Sequence, residues 1–238
     1  YGPALDGPLF FDDIPNMKTN LLLQIDGRQF DDWRVATVSS DAGILHRPVA
    51  MLSFAVNYVL SGEFSAFGLK ATNLCIHFLV GALVYAFSLQ VLQSPALRAG
   101  AATPEQRLVV AMLATAIWLL HPLHVSTVLY AIQRMAQLST LFIMVGLVIF
   151  CHYRLRWAKS GASTGELVAA LLWLMLLMLL ATLSKENGAL LPWLLACVEV
   201  SLFRGEWRGR ANRQLAGAGL AVLILPLILV GVLLLFFP

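Results

Sequence analysis

Beyond residue 64 the sequence is a succession of long apolar runs separated by short polar breaks, and this pattern restricts the fold more than any other feature. The runs lie near 67–91, 107–121, 125–151, 167–183, 188–203 and 214–236, and they do not alternate as half-buried strands do. With 59% hydrophobic and 12% charged residues, a soluble domain of 238 residues could not bury so much apolar surface. The expected class is an all-α polytopic membrane protein, because a helix satisfies its own backbone hydrogen bonds in lipid. About six transmembrane helices are expected. Two of the runs, 107–121 and 188–203, are short for a span of about 20 residues, which is tolerable where a helix end faces a protein-lined cavity.

The basic residues give a topology. The breaks at 92–107 (Arg98, Arg107), 152–166 (Arg154, Arg156, Lys159) and 204–213 (Arg204, Arg208, Arg210, Arg213) alternate along the chain. The positive-inside rule places them together in the cytoplasm. Residues 1–64, the His121–His124 turn and the Ser184–Asn187 turn then lie outside. The chain thus divides into a first extracytoplasmic loop over 1–64 and a helical bundle over 65–238. The chain opens without Met and closes inside an apolar run, so it reads as an excerpt of a longer protein. An upstream signal-anchor helix is expected to carry the acidic first loop across. The net charge of +3 is small and gives no reason to expect a nucleic-acid partner.

Local signals place some helix starts. Thr103-Pro104-Glu105-Gln106 reads as an N-cap, a proline in the first turn and a capping-box Gln. Pro48 starts an amphipathic pattern over 48–60, expected to be an interfacial helix on the membrane surface. Cys75, Cys151 and Cys197 fit neither a zinc nor a disulfide pattern and read as small buried hydrophobes.

Charged and polar residues at the outer ends of the runs need a reason, because such groups are costly near a membrane. Asp12-Asp13, in FFDDIPNM, reads either as a solvated turn or as a general base or metal ligand, with Phe10 and Phe11 dipping into the interface. His121 and His124 are separated by Pro122, which weakens a metal-ligand reading and leaves a polar turn beside a cavity. Arg134, after Gln133, falls about two turns into its apolar run, where it is expected to face a cavity and meet an anion. Lys185-Glu186 reads either as a locally paired loop marker or as a lysine aimed at a phosphate. Asn73 and His77, one turn apart, read as interhelical hydrogen-bond partners. Carboxylates opposite cations at one face of a helical bundle suit group transfer from a lipid-linked phosphate. The leaving group needs positive charge, and the attacking hydroxyl needs a base.

Five stretches carry a resemblance: FDDIPN (11–16), HRPVAMLSFAVNYVLSG (46–62), GLKATNLCIHFLVGALVYAF (68–87), HPLHVSTVLYAIQRMAQLSTLF (121–142) and SKENGALLPWLL (184–195). Together they resemble the membrane half of bacterial glycosyltransferases of the C-type superfamily (GT-C) that often carry tetratricopeptide repeats. They are also similar to the animal transmembrane-and-tetratricopeptide O-mannosyltransferases. The resemblance implies a GT-C-like bundle that moves a sugar from a polyprenyl-phosphate donor to an extracytoplasmic acceptor, a protein hydroxyl or a glycan. It implies that Asp12 is the base, with Asp13 as its companion, and a bacterial inner-membrane enzyme whose site faces the periplasm. Animal members tend to have Gly-Arg-Ala-Glu where this chain has Gln133-Arg134-Met135-Ala136, which favours the bacterial form.

The sequence reading is therefore an inverting membrane glycosyltransferase with Asp12 and Asp13 catalytic and Arg134 and Lys185 on the donor phosphate. His46, Arg47, His121, His124, Gln133 and Glu186 support the cavity. The sequence assigns no cofactor and leaves a divalent metal open, with Asp12 and Asp13 as its ligands if one binds. The alternatives are a transporter or flippase for lipid-linked sugars, which would need polar residues at mid-membrane, and a scaffold that has lost catalysis.

Overall fold

The computed structural model describes residues 1–98 and 102–204, apart from the Arg98 side chain. The expected segment 214–236 and the arginines Arg208, Arg210 and Arg213 lie outside the described residues. Every regular element among those described is helical. In chain order these are α1 (Phe30–Thr37), α2 (Pro48–Ser61), α3 (Ala66–Val91), α4 (Pro95–Arg98), α5 (Pro104–Leu119), α6 (His124–Leu129), α7 (Arg134–Ser160), α8 (Thr164–Ser184) and α9 (Leu191–Val198).

Among the described residues, four helical stretches are long and apolar enough to cross a membrane: Ala66–Val91, Ala131–Ser160, Thr164–Ser184 and Glu186–Phe203. Their length and composition mark an integral membrane protein. They match four of the six expected runs, with shifted ends. The run at 107–121 forms α5, whose 16 residues fall short of a full span. The run at 125–151 is divided: α6 stops at Leu129, Tyr130 takes an extended conformation, and a new helix starts through the turn Ala131–Gln133. Arg154, Arg156 and Lys159 stand on the last turns of α7 rather than in a loop.

Caps explain several boundaries. Thr103 and Gln106 form the reciprocal box expected: Thr103 N–H donates to Gln106 Oε1 (2.8 Å) and Gln106 N–H to Thr103 Oγ1 (3.3 Å). Ser163 and Glu166 repeat it at the start of α8. Helix α2 begins with Pro48 in its first turn and ends on Gly62 at φ +72, a left-handed position suited to glycine.

By contacts the chain forms two compact units. The first comprises Tyr1–Ala82, Ala116–Phe142 and Leu180–Gly188. Its core gathers Met17, Leu23, Ile25 and Ala36 with Ala50, Met51, Phe54 and Ala55 of α2, Leu69 of α3, and Ala131 and Met135. One face of α2 is thus a core face, while Leu52, Val56 and Leu60 remain exposed. The second comprises Leu83–Thr115, Ile143–Leu179 and Ala189–Pro238. There Arg154 is buried and grips Glu199 through two hydrogen bonds (2.6 and 2.7 Å), with its guanidinium over the Phe203 ring. Arg156 pairs with Glu166 at 2.8 Å. Of the three cysteines, Cys151 is buried, whereas Cys75 and Cys197 stand exposed on the protein surface, outward on apolar helices.

Candidate functional site

The adjacent carboxylates Asp12 and Asp13 have different environments. Asp13 is fully buried. Its Oδ1 accepts from Ile132 N–H at 2.8 Å, and its Oδ2 from Ala131 and Phe10 N–H, each at 3.4 Å. Ala131 and Ile132 open the helical stretch Ala131–Ser160, so their amides lack intrahelical partners. Asp13 therefore caps that helix from 118 residues away in sequence. Burial pushes its carboxyl above the usual aspartate range, against the opposing pull of the three amides and Lys70.

Asp12 points its side chain to solvent while its backbone is fixed on both sides. Its N–H donates to Tyr130 Oη at 3.1 Å, and its carbonyl accepts from Asn16 N–H (3.2 Å) and Asn16 Nδ2 (2.9 Å). Phe11, next to it, is exposed and has φ +46, a conformation costly for an aromatic residue. Tyr130 is held against Asp12 through that amide contact. Burial raises the Tyr130 hydroxyl above its ordinary value; the Asp12 amide opposes this, and the negative charges of Asp12 and Asp13 reinforce it. Sequence reasoning passed over Tyr130. Tyr130 lies in the stretch 121–142, but within the apolar run 125–151 nothing local marks it, because the break in the helix there appears only in the fold.

Two buried cations build the support for this segment. Lys70, on α3, is 1% exposed, and its ammonium donates to the carbonyls of Gly7 (2.7 Å), Ala4 and Pro8 (3.3 Å each). It lies 5.5 Å from the Phe10 ring centre and so ties the segment before Asp12 to α3. Arg134 is wholly buried. Its Nε donates to Asn73 Oδ1 (2.9 Å), Nη1 to Ser53 O (3.1 Å) and Asn57 Oδ1 (2.5 Å), and Nη2 to Leu69 O (2.8 Å). Its guanidinium lies 4.6 Å from the Phe54 ring centre. Arg134 is the first residue of α7 rather than two turns inside it, and its neighbours are neutral oxygens, not an anion. This arrangement links α2, α3 and α7, and does not support the expected contact with a donor phosphate.

Asn73 extends the same network. Its amide nitrogen reaches the carbonyls of Val128, Tyr130 and Ala131 at 3.2–3.4 Å, holding the break between α6 and α7. Gln133 is half-buried in that turn. One turn along α3, His77 Nε2 hydrogen-bonds Leu119 O at 3.0 Å and its ring stacks on Trp118 at 4.9 Å. His124 packs 5.1 Å from His77, and His121 6.3 Å from His124. Burial, aided by those two imidazoles, holds His124 below the ordinary histidine value. Among the described residues no group of three His, Cys, Asp or Glu side chains is placed to hold a metal ion.

Arg47 meets Glu186 at the Ser184–Gly188 turn. Arg47 Nη2 lies 3.0 Å from Glu186 Oε2, and its Nε donates to both carboxylate oxygens at 3.1–3.2 Å. His46 and Arg47 both have positive φ (+55 and +49), and His46 Nδ1 bonds Ser40 O at 2.7 Å. The Glu186 carboxylate occupies the place a side chain on Gly43 would need. Gly188 sits against the backbone of Ala181 and Thr182, which leaves no room for a Cβ. Glu186 thus pairs with Arg47 rather than locally with Lys185, which stays half-exposed beside that pair.

No protein-family model matches the chain, and no solved structure matches it. The chain is similar to the mouse protein O-mannosyl-transferase TMTC4, with 28% identity over 201 residues, which is 79% of this chain and 26% of that protein. The human protein O-mannosyl-transferase TMTC4 is 27% identical over 203 residues, again 79% and 26%. The Caenorhabditis elegans protein O-mannosyl-transferase F38B6.6 is 26% identical over 206 residues, or 84% and 26%. The chain spans about a quarter of the length of these relatives.

Proposed function

We propose that this chain is the catalytic part of a GT-C-type membrane glycosyltransferase that moves a sugar from a polyprenyl-phosphate donor to a hydroxyl acceptor at the extracytoplasmic surface. The names of the similar proteins support a mannosyl donor and a protein acceptor. The observation that carries the reading is the division of labour between Asp12 and Asp13. One carboxylate is consumed as a helix cap, while its neighbour is presented to solvent on a backbone held at both its amide and its carbonyl.

In the proposed step Asp12 takes the proton of the acceptor hydroxyl as its oxygen bonds to the anomeric carbon. The bond from that carbon to the phosphate oxygen breaks, and polyprenyl phosphate leaves with the electron pair. Attack from the face opposite the leaving phosphate inverts the anomeric centre. The leaving group already carries negative charge, so a cation rather than an acid serves it. Lys185 is the proposed cation, supported by its half-exposed position and by the engagement of its neighbour Glu186 with Arg47. Arg134 is assigned to the scaffold. His121, His124, His46 and Gln133 are proposed to shape the acceptor side.

Asp12→Asn in the full-length protein tests the base. Sugar transfer from a polyprenyl-phosphate donor should fall by a factor of roughly 100 or more, with expression and melting temperature unchanged. Transfer at the wild-type rate would rule Asp12 out.

A further inference from the structure

We propose that Tyr130 is a positioning residue for Asp12, its phenolic hydroxyl orienting the carboxylate that accepts the proton; this rests on the function proposed above. Tyr130 Oη accepts the Asp12 N–H at 3.1 Å, so its own proton is free to donate to another oxygen. That contact places the hydroxyl against the backbone of the residue that carries the exposed carboxylate, whose oxygens are the proposed acceptors of its proton. In the proposed arrangement one phenol holds the amide of Asp12 and donates its proton to the side chain of the same residue, which restricts where that side chain points.

The surroundings are built for this contact. Tyr130 is the extended residue between α6 and Ala131–Gln133. The amides that follow it, on Ala131 and Ile132, are taken by Asp13. Its own carbonyl and that of Ala131 accept from Asn73, and Asn73 is in turn held by Arg134. The two aspartates and the Tyr130 turn are thus joined at three consecutive positions, 130, 131 and 132. A carboxylate exposed to water sweeps through rotamers unless a donor restrains it, and a base must lie within about 3 Å of the proton it takes. Tyr130 supplies the restraint without burying the carboxylate.

The test uses the full-length protein with a polyprenyl-phosphate donor and an acceptor peptide. Tyr130→Phe removes the hydroxyl but keeps the ring. It should lower kcat by roughly tenfold or more through misplacement of the base, with the KM for the donor unchanged. Replacement of Tyr130 by 3,5-difluorotyrosine retains a hydroxyl whose proton is lost at much lower pH. That variant should match the wild type at mildly acidic pH and lose turnover as the pH rises through the titration of its phenol, where the wild type keeps its rate. A role limited to packing would not produce that alkaline loss. Wild-type kcat in Tyr130→Phe, or a difluorotyrosine profile superimposable on that of the wild type, would overturn the inference. If Asp12→Asn is inactive in the same assay while Tyr130→Phe is not, the tyrosine inference alone fails. If Asp12→Asn retains full transfer, both fail.

Discussion

Asp12 and Asp13 are chemically identical and adjacent, and the fold gives them separate environments. The reason is the unpaired amides at the start of Ala131–Ser160, which need an acceptor and find Asp13. An acceptor at that position is worth about 1 kcal/mol, so Asp13→Ala should destabilise the protein by roughly that amount. Asp13→Asn, which keeps one acceptor oxygen, should cost less. The raised carboxyl adds a pH dependence. A group whose folded pKa exceeds its unfolded value contributes most below the unfolded value, and loses that contribution as pH rises through the folded one. The melting temperature of the wild type relative to Asp13→Asn should therefore increase as pH falls from neutrality into the ordinary aspartate range. An opposite slope would contradict the burial of this carboxyl. Neither environment could be read from FFDDIPNM itself, because the amides that distinguish the two acids lie more than 100 residues away.

At the scale of elements, the start of α7 is the junction on which the candidate site depends. A cation at a helix N-terminus is opposed by the helix dipole. Arg134 is tolerated there because α2 and α3 surround it with Ser53 O, Asn57 Oδ1, Leu69 O and Asn73 Oδ1, and Phe54 covers its plane. Arg134→Ala should leave these oxygens and an arginine-sized space unfilled. It should lower stability by about 3 kcal/mol or more, read as a large drop in melting temperature in detergent. Arg134→Lys should recover little, since an ammonium cannot span the fork. Loss of donor affinity at unchanged melting temperature would instead restore the phosphate role expected from sequence. That expectation followed from a correct rule, that a buried arginine needs partners. It chose an anion because the sequence does not show that the helix is interrupted at Tyr130, nor that Asn57 and Asn73 converge from two other helices.

At the scale of the molecule, the four apolar helical stretches among the described residues set the membrane character, and the positions of the basic residues predict an orientation. With α5 taken as a short crossing helix, Arg154, Arg156 and Lys159 on the last turns of α7 are expected to face the cytoplasm, and the Asp12 segment and Lys185 the opposite side. Single cysteines at 18 and 187, in a background lacking Cys75, Cys151 and Cys197, should react with a membrane-impermeant maleimide applied from outside the cell. A cysteine at 159 should react only after the membrane is opened. The reverse pattern would invert the proposed topology and place Asp12 away from an extracytoplasmic donor.

Composition, apolar run length and cap chemistry determined the membrane class, most of the long helices and the starts of α2 and α5, because those depend on properties summed along a contiguous stretch. The acidic motif was recognisable for the same reason. Tertiary structure decided which carboxylate is exposed, that Arg134 and Lys70 bind neutral carbonyls, that Glu186 holds Arg47, and that Tyr130 stands against Asp12. Each of these is a pairing between distant segments. The partner of a buried polar group is fixed by where several helices converge, which no local pattern encodes.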